Sequence, residues 1–364
     1  MDTARAFNPS TILVWRQVRR RAETERIVGM FPQADVRIVD RQRLVRPPGS
    51  RHVHPIVAGK RVLMIGEASS FLREFDGCLG GTVRCAPYFK LVPVSNGCPY
   101  YCTYCYLAFV YREYLPFLKI NINHDRMFDE IRQAAFDPGH AIAFNMGEML
   151  DSLALDHVTW LAERLVPFFS RLPGGYLMLL TKSANVEGLL RVPSHSRVVV
   201  SWSLNTQRMI DRYEIGTASL AERIEAARRC QEHGYRIRLR LDPGILYDGW
   251  QSDYADVIRQ TFEVLEPENI TLGTLRLLPG HLHLARQAYG RRADSLRTAG
   301  LSEKASDGKR RYPSPRRLEF YRFAIDAIRR FDHRMSIGLC RETAGVWSEL
   351  GHFCHPERCN CLVW

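Results

Sequence analysis

Between about residue 90 and residue 285 the sequence alternates short apolar runs with longer amphipathic segments, and this alternation constrains the fold most. Segments with helical periodicity, such as DRMFDEIRQAAF and SLAERIEAARRCQEHG, separate the apolar runs. The strand-like runs are YFKLVPVS, AIAFNM, YLMLLTKS, RVVVSWSL, YRIRLRLDPGI and NITLGTLRLL. Strands that alternate with helices predict parallel βα units, hence an α/β fold that closes into a full or partial (β/α) barrel or stays an open sheet. Of these we expect the partial parallel barrel, with functional groups at the carboxyl ends of its strands.

The flanking regions differ in character from this core. We expect a small N-terminal α/β segment over residues 1–85, the barrel core over 86–285, and a C-terminal extension over 286–364. The extension begins as a basic loop, continues as a helix and ends in a cysteine-rich stretch. No run of ~18 apolar residues and no secretory signal is visible, so we expect a cytoplasmic protein with no membrane partner.

The charge of the chain is strongly positive. Lysine and arginine number 51 against 39 acidic residues, a formal net charge of +12 over 364 residues. A basic surface favours a polyanionic partner, most simply nucleic acid, because neutralised phosphates release counterions. A basic surface that serves only solubility is equally compatible with these numbers.

Three cysteines stand close together after the first strand of the predicted core. Cys98, Cys102 and Cys105 have the spacing C-x3-C-x2-C in a chain with ten cysteines. Clustered cysteines in a reducing compartment indicate metal binding or chemistry. Structural zinc normally takes four ligands, whereas a four-iron cluster can be held by three thiolates with one iron open. A zinc site or unrelated thiols are the alternatives.

This loop resembles that of the radical S-adenosylmethionine (SAM) superfamily, including the aromatic Tyr104 directly before the last cysteine. The resemblance implies a [4Fe–4S] cluster on Cys98, Cys102 and Cys105 whose open iron binds SAM. One-electron reduction, from a ferredoxin or flavodoxin-type donor, would then cleave SAM to a 5′-deoxyadenosyl radical.

Segments beyond the loop are similar to those of the spore photoproduct lyase family, which splits a methylene-bridged thymine dimer in DNA. The likeness covers roughly residues 50–312 and is carried by GCPYYCTYCYL, LKININ, DSLALDH, LLTKSANVEGLL, WSLNTQRMIDRYEIGTASLAERIEAA and DPGILYDGW. It implies contacts with SAM and a hydrogen-atom relay at Tyr106. The implied SAM contacts are Tyr104, Lys182, Ser203 and Asn205. A surface Lys182, a structural strand end at 203–205 and a packed Tyr106 are the alternatives.

The stretch GKRRY resembles a basic segment with which the lyase grips lesion DNA. The implied nucleic-acid contacts are Lys309, Arg310, Arg311 and Tyr312. Cations beside an aromatic ring suit phosphate contact together with base stacking. A solvated basic loop is the alternative.

One position departs from the family pattern. The lyase needs a cysteine near its substrate to return a hydrogen atom, and counting back from Asp151 places Glu148 there. A carboxylic O–H bond is too strong for hydrogen-atom donation. Gly147 and Glu148 instead resemble the Gly-Glu pair that binds the SAM ammonium in many radical SAM enzymes, which suits a charge-assisted hydrogen bond. The first candidate for a replacement donor is Cys340.

A second group of thiols lies near the end of the sequence. Cys354, Cys359 and Cys361, with His352 and His355 between and beside them, follow a C-x4-C-x-C spacing that matches no strong metal template. A second metal site, an unmetallated and partly buried tail, and a hydrogen donor are all compatible with it.

The sequence therefore predicts a radical SAM carbon–carbon lyase that repairs a damaged pyrimidine of thymine-dimer type in DNA. Two alternatives stay open. One is a radical SAM enzyme with a modified RNA, a peptide or a small molecule as substrate. The other is a non-catalytic nucleic-acid-binding protein with a structural cluster.

Overall fold

The structure is a computed structural model. It describes residues 7–42, 53–77, 83, 85–95, 98–107, 118–136, 141–298, 300–354 and 358–363. The strands are β1 (Thr11–Trp15), β2 (Asp35–Val39), β3 (Val62–Gly66), β4 (Leu72–Phe75), β5 (Tyr88–Leu91), β6 (Val94–Ser95), β7 (Tyr101–Cys102), β8 (Leu118–Asn121), β9 (Ile142–Asn145), β10 (Gly175–Thr181), β11 (Val198–Ser203), β12 (Glu214–Ile215), β13 (Arg236–Gly244), β14 (Asn269–Thr274), β15 (Glu303–Lys304), β16 (Arg310–Arg311) and β17 (Ile337–Leu339).

The helices alternate with these strands along most of the chain. They are α1 (Ala22–Gly29), α2 (Pro55–Gly59), α3 (His124–Ala134), α4 (Asp156–Thr159), α5 (Leu161–Ser170), α6 (Glu187–Leu190), α7 (Gln207–Tyr213), α8 (Leu220–Glu232), α9 (Trp250–Phe262), α10 (His281–Tyr289), α11 (Ser314–Arg329) and α12 (Ala344–Leu350). Short 3-10 helices cover Arg16–Val18 and Gly290–Thr298. No helix in the described part of the chain is long and apolar enough to cross a membrane.

An eight-stranded sheet forms the centre of the molecule, in the order β17-β14-β13-β11-β10-β9-β5-β4. Its strands from β17 to β5 pair in parallel, and β4 adds an antiparallel edge. The predicted α/β fold with a parallel sheet is confirmed. Strand β17 lies beyond residue 285, so the sheet extends past the predicted end of the core.

A second sheet has the order β2-β1-β3-β8-β6. It joins three strands of the predicted N-terminal segment to β8 and β6, which lie after residue 85. The first 85 residues therefore share their sheet with the beginning of the core instead of forming one alone. One large cluster of buried apolar side chains includes residues from both sheets.

The two faces of the large sheet differ because successive strand side chains point to opposite sides. In β13, Ile237 and Leu239 join the apolar cluster that the helices cover, whereas Arg238 and Arg240 alternate with them. In β10, Leu177 and Leu179 belong to that same cluster, and Met178 belongs to a smaller one. The second face of the sheet is therefore mixed in polarity, and we call it the concave face.

Residues 358–363 cover part of the concave face. The side-chain amide of Asn360 donates to Ser201 Oγ at 2.6 Å and to the Leu239 carbonyl at 2.9 Å. Cys359 and Cys361 pack into the smaller apolar cluster with Met178. This segment fills the space beneath the carboxyl ends of the strands, and we call it the tail plug.

The predicted alternatives for the tail differ in whether its thiols are buried and whether they bind a metal. Cys354, Cys359 and Cys361 are all buried. Among the described residues, no group of three potential ligands is arranged to hold a metal ion. His355 lies outside the described residues. The thiols of the tail are therefore buried in this structure, and whether they bind a metal stays open.

Candidate active site

A cavity of about 220 Å³ opens at the carboxyl ends of the parallel strands, where the sequence places the functional groups. It brings together most of the predicted site residues although they come from distant parts of the chain. Those that line it are Cys98, Cys102, Cys105, Tyr104, Tyr106, Glu148, Lys182, Ser203, Lys309 and Cys340.

The three loop cysteines form one wall of the cavity. Strand β7, which contains Cys102, pairs with β12 in antiparallel register, and the Cys105 amide donates to the Cys102 carbonyl at 3.1 Å. In the described part of the chain no three ligands surround a single point as one metal ion requires. Three thiols on one wall match the number of thiolates that can hold a four-iron cluster with one iron open, whereas structural zinc normally takes four ligands.

A buried carboxylate, Glu214, organises the side of the cavity next to this loop. Lys182 Nζ lies 2.7 Å from Ser203 Oγ and 3.1 Å from Glu214 Oε1. The Tyr104 hydroxyl donates to the same carboxylate. Arg223, which is also fully buried, contacts the other oxygen at 2.6 Å. Two of the four predicted SAM contacts, Tyr104 and Lys182, thus bond to one acid, and a third, Ser203, joins them through Lys182.

Glu214 was not among the predicted site residues. Burial alone would raise the pKa of its carboxyl group, but the charges of Lys182 and Arg223 outweigh burial and lower that pKa to about 2. The carboxylate is therefore ionised and compensates both cations. Its sequence context was the available signal. In YEI the acid stands between two largely apolar residues, inside a segment that matches the family.

Asn205 occupies a different place from the other predicted SAM contacts. It does not line the cavity, and its side chain is fully buried. Its amide nitrogen donates to the Pro243 carbonyl at 3.0 Å, and its oxygen accepts from the Tyr254 hydroxyl at 2.8 Å. In this structure the side chain supports the end of the strand from behind, and the predicted contact between Asn205 and SAM stays a prediction.

Arg240 links Glu148 to Cys340 on the opposite side of the cavity. One guanidinium nitrogen lies 3.1 Å from Glu148 Oε1, and the other lies 2.9 Å from Cys340 Sγ. Arg341 approaches Glu148 Oε2 at 3.5 Å. Burial alone would raise the pKa of Glu148, but Arg240 and Arg341 lower it to about 2. The thiol of Cys340 therefore lies one guanidinium group away from the position at which the family pattern requires a cysteine.

The predicted role of Glu148 as a ligand of the SAM ammonium stays a prediction. Its described contacts are with two guanidinium groups and with the thiol of Cys361 at 3.5 Å. Gly147 has a packing role, because a Cβ built there would lie 2.2 Å from Leu180 Cβ. The Gly-Glu pair can thus be explained without SAM.

A second ion pair completes the surroundings of Cys340. Arg276 Nη2 lies 3.0 and 2.9 Å from the two oxygens of Asp242, and 3.5 Å from Cys340 Sγ. Burial raises the pKa of the Cys340 thiol to about 11, and this outweighs the opposing effect of Arg240 and Arg276. The sulfur therefore keeps its hydrogen at neutral pH, as a hydrogen-atom donor must.

Tyr106 reaches the same region from the cysteine loop. Its hydroxyl donates to the Glu148 carbonyl at 2.5 Å, and Lys309 Nζ lies 5.4 Å from its ring centroid. Burial, followed by repulsion from the neighbouring arginines, lowers the pKa of Lys309 to about 8. The predicted relay tyrosine and the first residue of the basic stretch thus meet inside the cavity.

Of the remaining residues of the basic stretch, one lies on the surface and two lie in the interior. Arg310 is exposed, but Arg311 is fully buried and paired with both oxygens of Asp307 at 2.8 and 2.7 Å. Tyr312 is 2% exposed, and its hydroxyl accepts from the Leu246 amide. Both side chains hold the hairpin β15–β16 in place, and their predicted contacts with nucleic acid stay a prediction.

Two features together define a radical SAM fold. One is a parallel β/α sheet, and the other is a three-cysteine loop that follows its first parallel strand and lines a cavity at the carboxyl ends of the strands. The family model described as spore photoproduct lyase matches residues 7–281. The chain belongs to the spore photoproduct lyase family, a family of radical SAM lyases, as the sequence predicted.

Individual relatives agree with this assignment. The spore photoproduct lyase of Clostridium acetobutylicum is 26% identical over 242 residues, which cover 66% of this chain and 69% of the relative. That of Bacillus subtilis is 26% identical over 220 residues, 60% of each protein. The matched region thus spans about two thirds or less of these relatives.

Solved structures of similar proteins establish the fold. A spore photoproduct lyase complexed with dinucleoside spore photoproduct has a TM-score of 0.79 at 19% identity and covers 92% of this chain and 99% of its own. A variant lyase with bound AdoMet and dinucleoside spore photoproduct has a TM-score of 0.76 at 20% identity, with 91% and 98% covered.

Proposed function

We propose that this protein uses SAM and a [4Fe–4S] cluster to repair a methylene-bridged thymine dimer in DNA, with Cys340 as the hydrogen-atom donor. The observation that carries the proposal is the shared guanidinium of Arg240, which places Cys340 beside Glu148 in the cavity. The thiol replaces, from another strand, the cysteine that the family pattern requires at position 148.

Cys98, Cys102 and Cys105 would hold the cluster, because all three thiols line one wall of the cavity. When bound, the cluster and SAM supply the radical that abstracts a hydrogen atom from the substrate. Tyr104, Lys182 and Ser203 lie on the adjacent wall and would orient SAM. A ferredoxin or flavodoxin-type protein is the electron donor that this chemistry needs.

The other half of the cavity suits an anionic substrate. Among the described residues that line the cavity, five cations stand against three carboxylates, an excess of two positive charges. Besides Lys182 the cations are Arg240, Arg276, Lys309 and Arg341, and the carboxylates are Glu148, Asp151 and Asp242. A phosphodiester beside the lesion would compensate this excess. Two solved relatives are described as binding dinucleoside spore photoproduct, which is the lesion without its phosphate.

Glu148 has a positioning role in this proposal. Its carboxylate holds Arg240 and Arg341, and Arg240 in turn holds the sulfur of Cys340. An ionised carboxylate has no hydrogen to give, so the donor function rests with the protonated thiol. Tyr106, whose hydroxyl donates to the backbone carbonyl of Glu148, would act as the hydrogen-atom relay between the cofactor and that thiol.

The test uses anaerobically reconstituted protein, SAM, dithionite and a dinucleotide that carries the lesion, in D2O. The hydrogen of a thiol exchanges with solvent, so we expect restored thymine with one deuterium atom per repaired lesion. Cys340→Ala should still release 5′-deoxyadenosine but lose the deuterium in repaired product. Cys230→Ala is the matched control, since that buried thiol lies on α8 and does not line the cavity.

Two results would contradict the proposal. Consumption of SAM without any restored thymine from the unaltered protein would exclude this substrate. Equal deuterium incorporation by Cys340→Ala and Cys230→Ala would exclude Cys340 as the donor.

A further inference from the structure

A second concavity adjoins the cavity, and its charge is not explained by the chemistry above. It has a volume of about 510 Å³ and lies between α7, the segment after β13 and the start of α11. Three arginines line it, Arg208, Arg212 and Arg316, and all three are exposed. We call it the arginine groove.

The arginines have a defined arrangement. Arg208 and Arg212 stand one turn apart on α7 and therefore point to the same side of the helix. The guanidinium of Arg208 lies 4.9 Å from the ring centroid of Tyr247. The Tyr247 hydroxyl is itself held by Thr206 at 2.8 Å and by Asp253 at 2.7 Å. Arg208 thus rests on a fixed aromatic surface.

The groove carries a positive charge of its own. Among the described residues that line it, Asp248 is the one acid, against three guanidinium groups. Arg316 also contacts Glu319 at 3.3 Å, but both side chains are about half exposed, so water screens this pair. An anion with several charges, spaced along a chain, would compensate the groove better than one small ion.

The groove and the cavity are lined by neighbouring residues of the same two chain segments. Pro243, in β13, lines the cavity, and Ile245 and Leu246, in the segment after this strand, line the groove. The basic hairpin makes the same transition from Lys309 to Tyr312. The bond from the Leu246 amide to the Tyr312 hydroxyl, 3.1 Å long, fixes these two elements to each other. A chain molecule that leaves the cavity on this side meets the groove next.

We propose that the arginine groove binds the phosphodiester backbone of the nucleic-acid strand that flanks the lesion. The inference rests on the proposed function, because it takes the substrate to be part of a polynucleotide. Guanidinium groups bind phosphate oxygens in paired hydrogen bonds, and such contacts position a strand without reading its sequence. The groove would therefore set affinity for long substrates, while the cavity recognises the lesion.

The test compares two triple variants that change the net charge equally. The groove variant combines Arg208→Gln, Arg212→Gln and Arg316→Gln. The control variant combines Arg228→Gln, Arg259→Gln and Arg322→Gln, which remove one half-buried arginine from α8 and one exposed arginine each from α9 and α11. Binding of a single-stranded 12-mer that carries the lesion is followed by fluorescence anisotropy over a series of KCl concentrations.

We expect the groove variant to bind the 12-mer roughly 10-fold more weakly at low salt. The slope of log K against log[KCl] should fall by about 2, since each phosphate contact on a single strand contributes about 0.7. The control variant should keep the slope of the unaltered protein. Turnover of a dinucleoside lesion, which has no flanking phosphate, should be the same in all three proteins.

Equal salt slopes in the groove and control variants would overturn the inference. So would a loss of dinucleoside turnover as large as the loss in 12-mer binding, because the arginines would then act on the cavity itself. Failure of the proposed function has a separate signature: the unaltered protein would restore no thymine, while the two variants could still differ in their DNA salt slopes.

Discussion

The substitution Glu214→Gln tests how the buried acid supports the cysteine loop. Its carboxylate is fully buried and compensates Arg223, which is buried to the same extent, and Lys182. Gln keeps the shape but removes the charge, so it leaves Arg223 without its counter-ion. Removing one partner of such a buried pair costs about 3–5 kcal/mol.

The pKa of Glu214 gives a second measure of this effect. Its fall from 4.5 to about 2 corresponds to about 3 kcal/mol of stabilisation at neutral pH. Because the folded-state pKa is depressed, this stabilisation is fully present above the unfolded pKa and is lost as the pH falls toward 2. Both routes give about 3 kcal/mol for the expected loss in Glu214→Gln.

The assay is anaerobic urea unfolding followed by tryptophan fluorescence, with iron content measured on the same samples. Glu187→Gln is the matched control, because its pair with Arg229 at 2.9 Å is about 40% exposed and contributes at most about 1 kcal/mol. We also expect Glu214→Gln to retain less iron, since β12 pairs with the β7 strand of the loop. A loss of stability no larger than that of Glu187→Gln would refute the reasoning.

Three further predictions concern other parts of the site. Arg311→Gln should lower the free energy of unfolding by about 3 kcal/mol, because it breaks the buried pair with Asp307. Arg310 is exposed, so Arg310→Gln should change that free energy by less than about 0.5 kcal/mol, and denaturant titration measures both. Affinity for a lesion dinucleotide should decline as the pH rises through about 8, where Lys309 loses its proton, and Lys309→Gln should flatten that profile in a binding titration. Gly147→Ala should cost about 1–3 kcal/mol in thermal unfolding, because the new Cβ meets Leu180 Cβ at 2.2 Å; unchanged stability would contradict the packing role.

Local periodicity was sufficient to predict most of the large sheet. Each of the six apolar runs between residues 88 and 278 contains a strand of that sheet, because parallel strands buried on both faces form nearly continuous apolar runs rich in branched residues. Strand β17 was missed, since its three residues, Ile337–Leu339, include a glycine and follow a polar stretch. The strand matters because Cys340 follows it directly.

Prediction of the site succeeded where chemistry is local in sequence and failed where it depends on long-range packing. The loop cysteines are close together and follow a strand, so their shared wall could be predicted. Glu214, by contrast, acquires its role through Arg223 and the cysteine loop, which no spacing rule connects. The burial of Arg311 and Tyr312 could not be predicted for the same reason. A basic motif has the same sequence whether its side chains lie on the surface or are buried by a hairpin.

The tail plug has a consequence for how the polypeptide matures. Residues 358–363 leave the ribosome after the strands whose concave face they cover, so that face stays open to water throughout translation of the strands. Arg238, whose guanidinium donates to the Leu362 carbonyl at 2.5 Å, gains this partner only after all strands of the large sheet have been synthesised. A nascent chain halted before residue 358 would therefore expose this face of the sheet, and affinity for holdase chaperones should drop once residues 358–363 emerge.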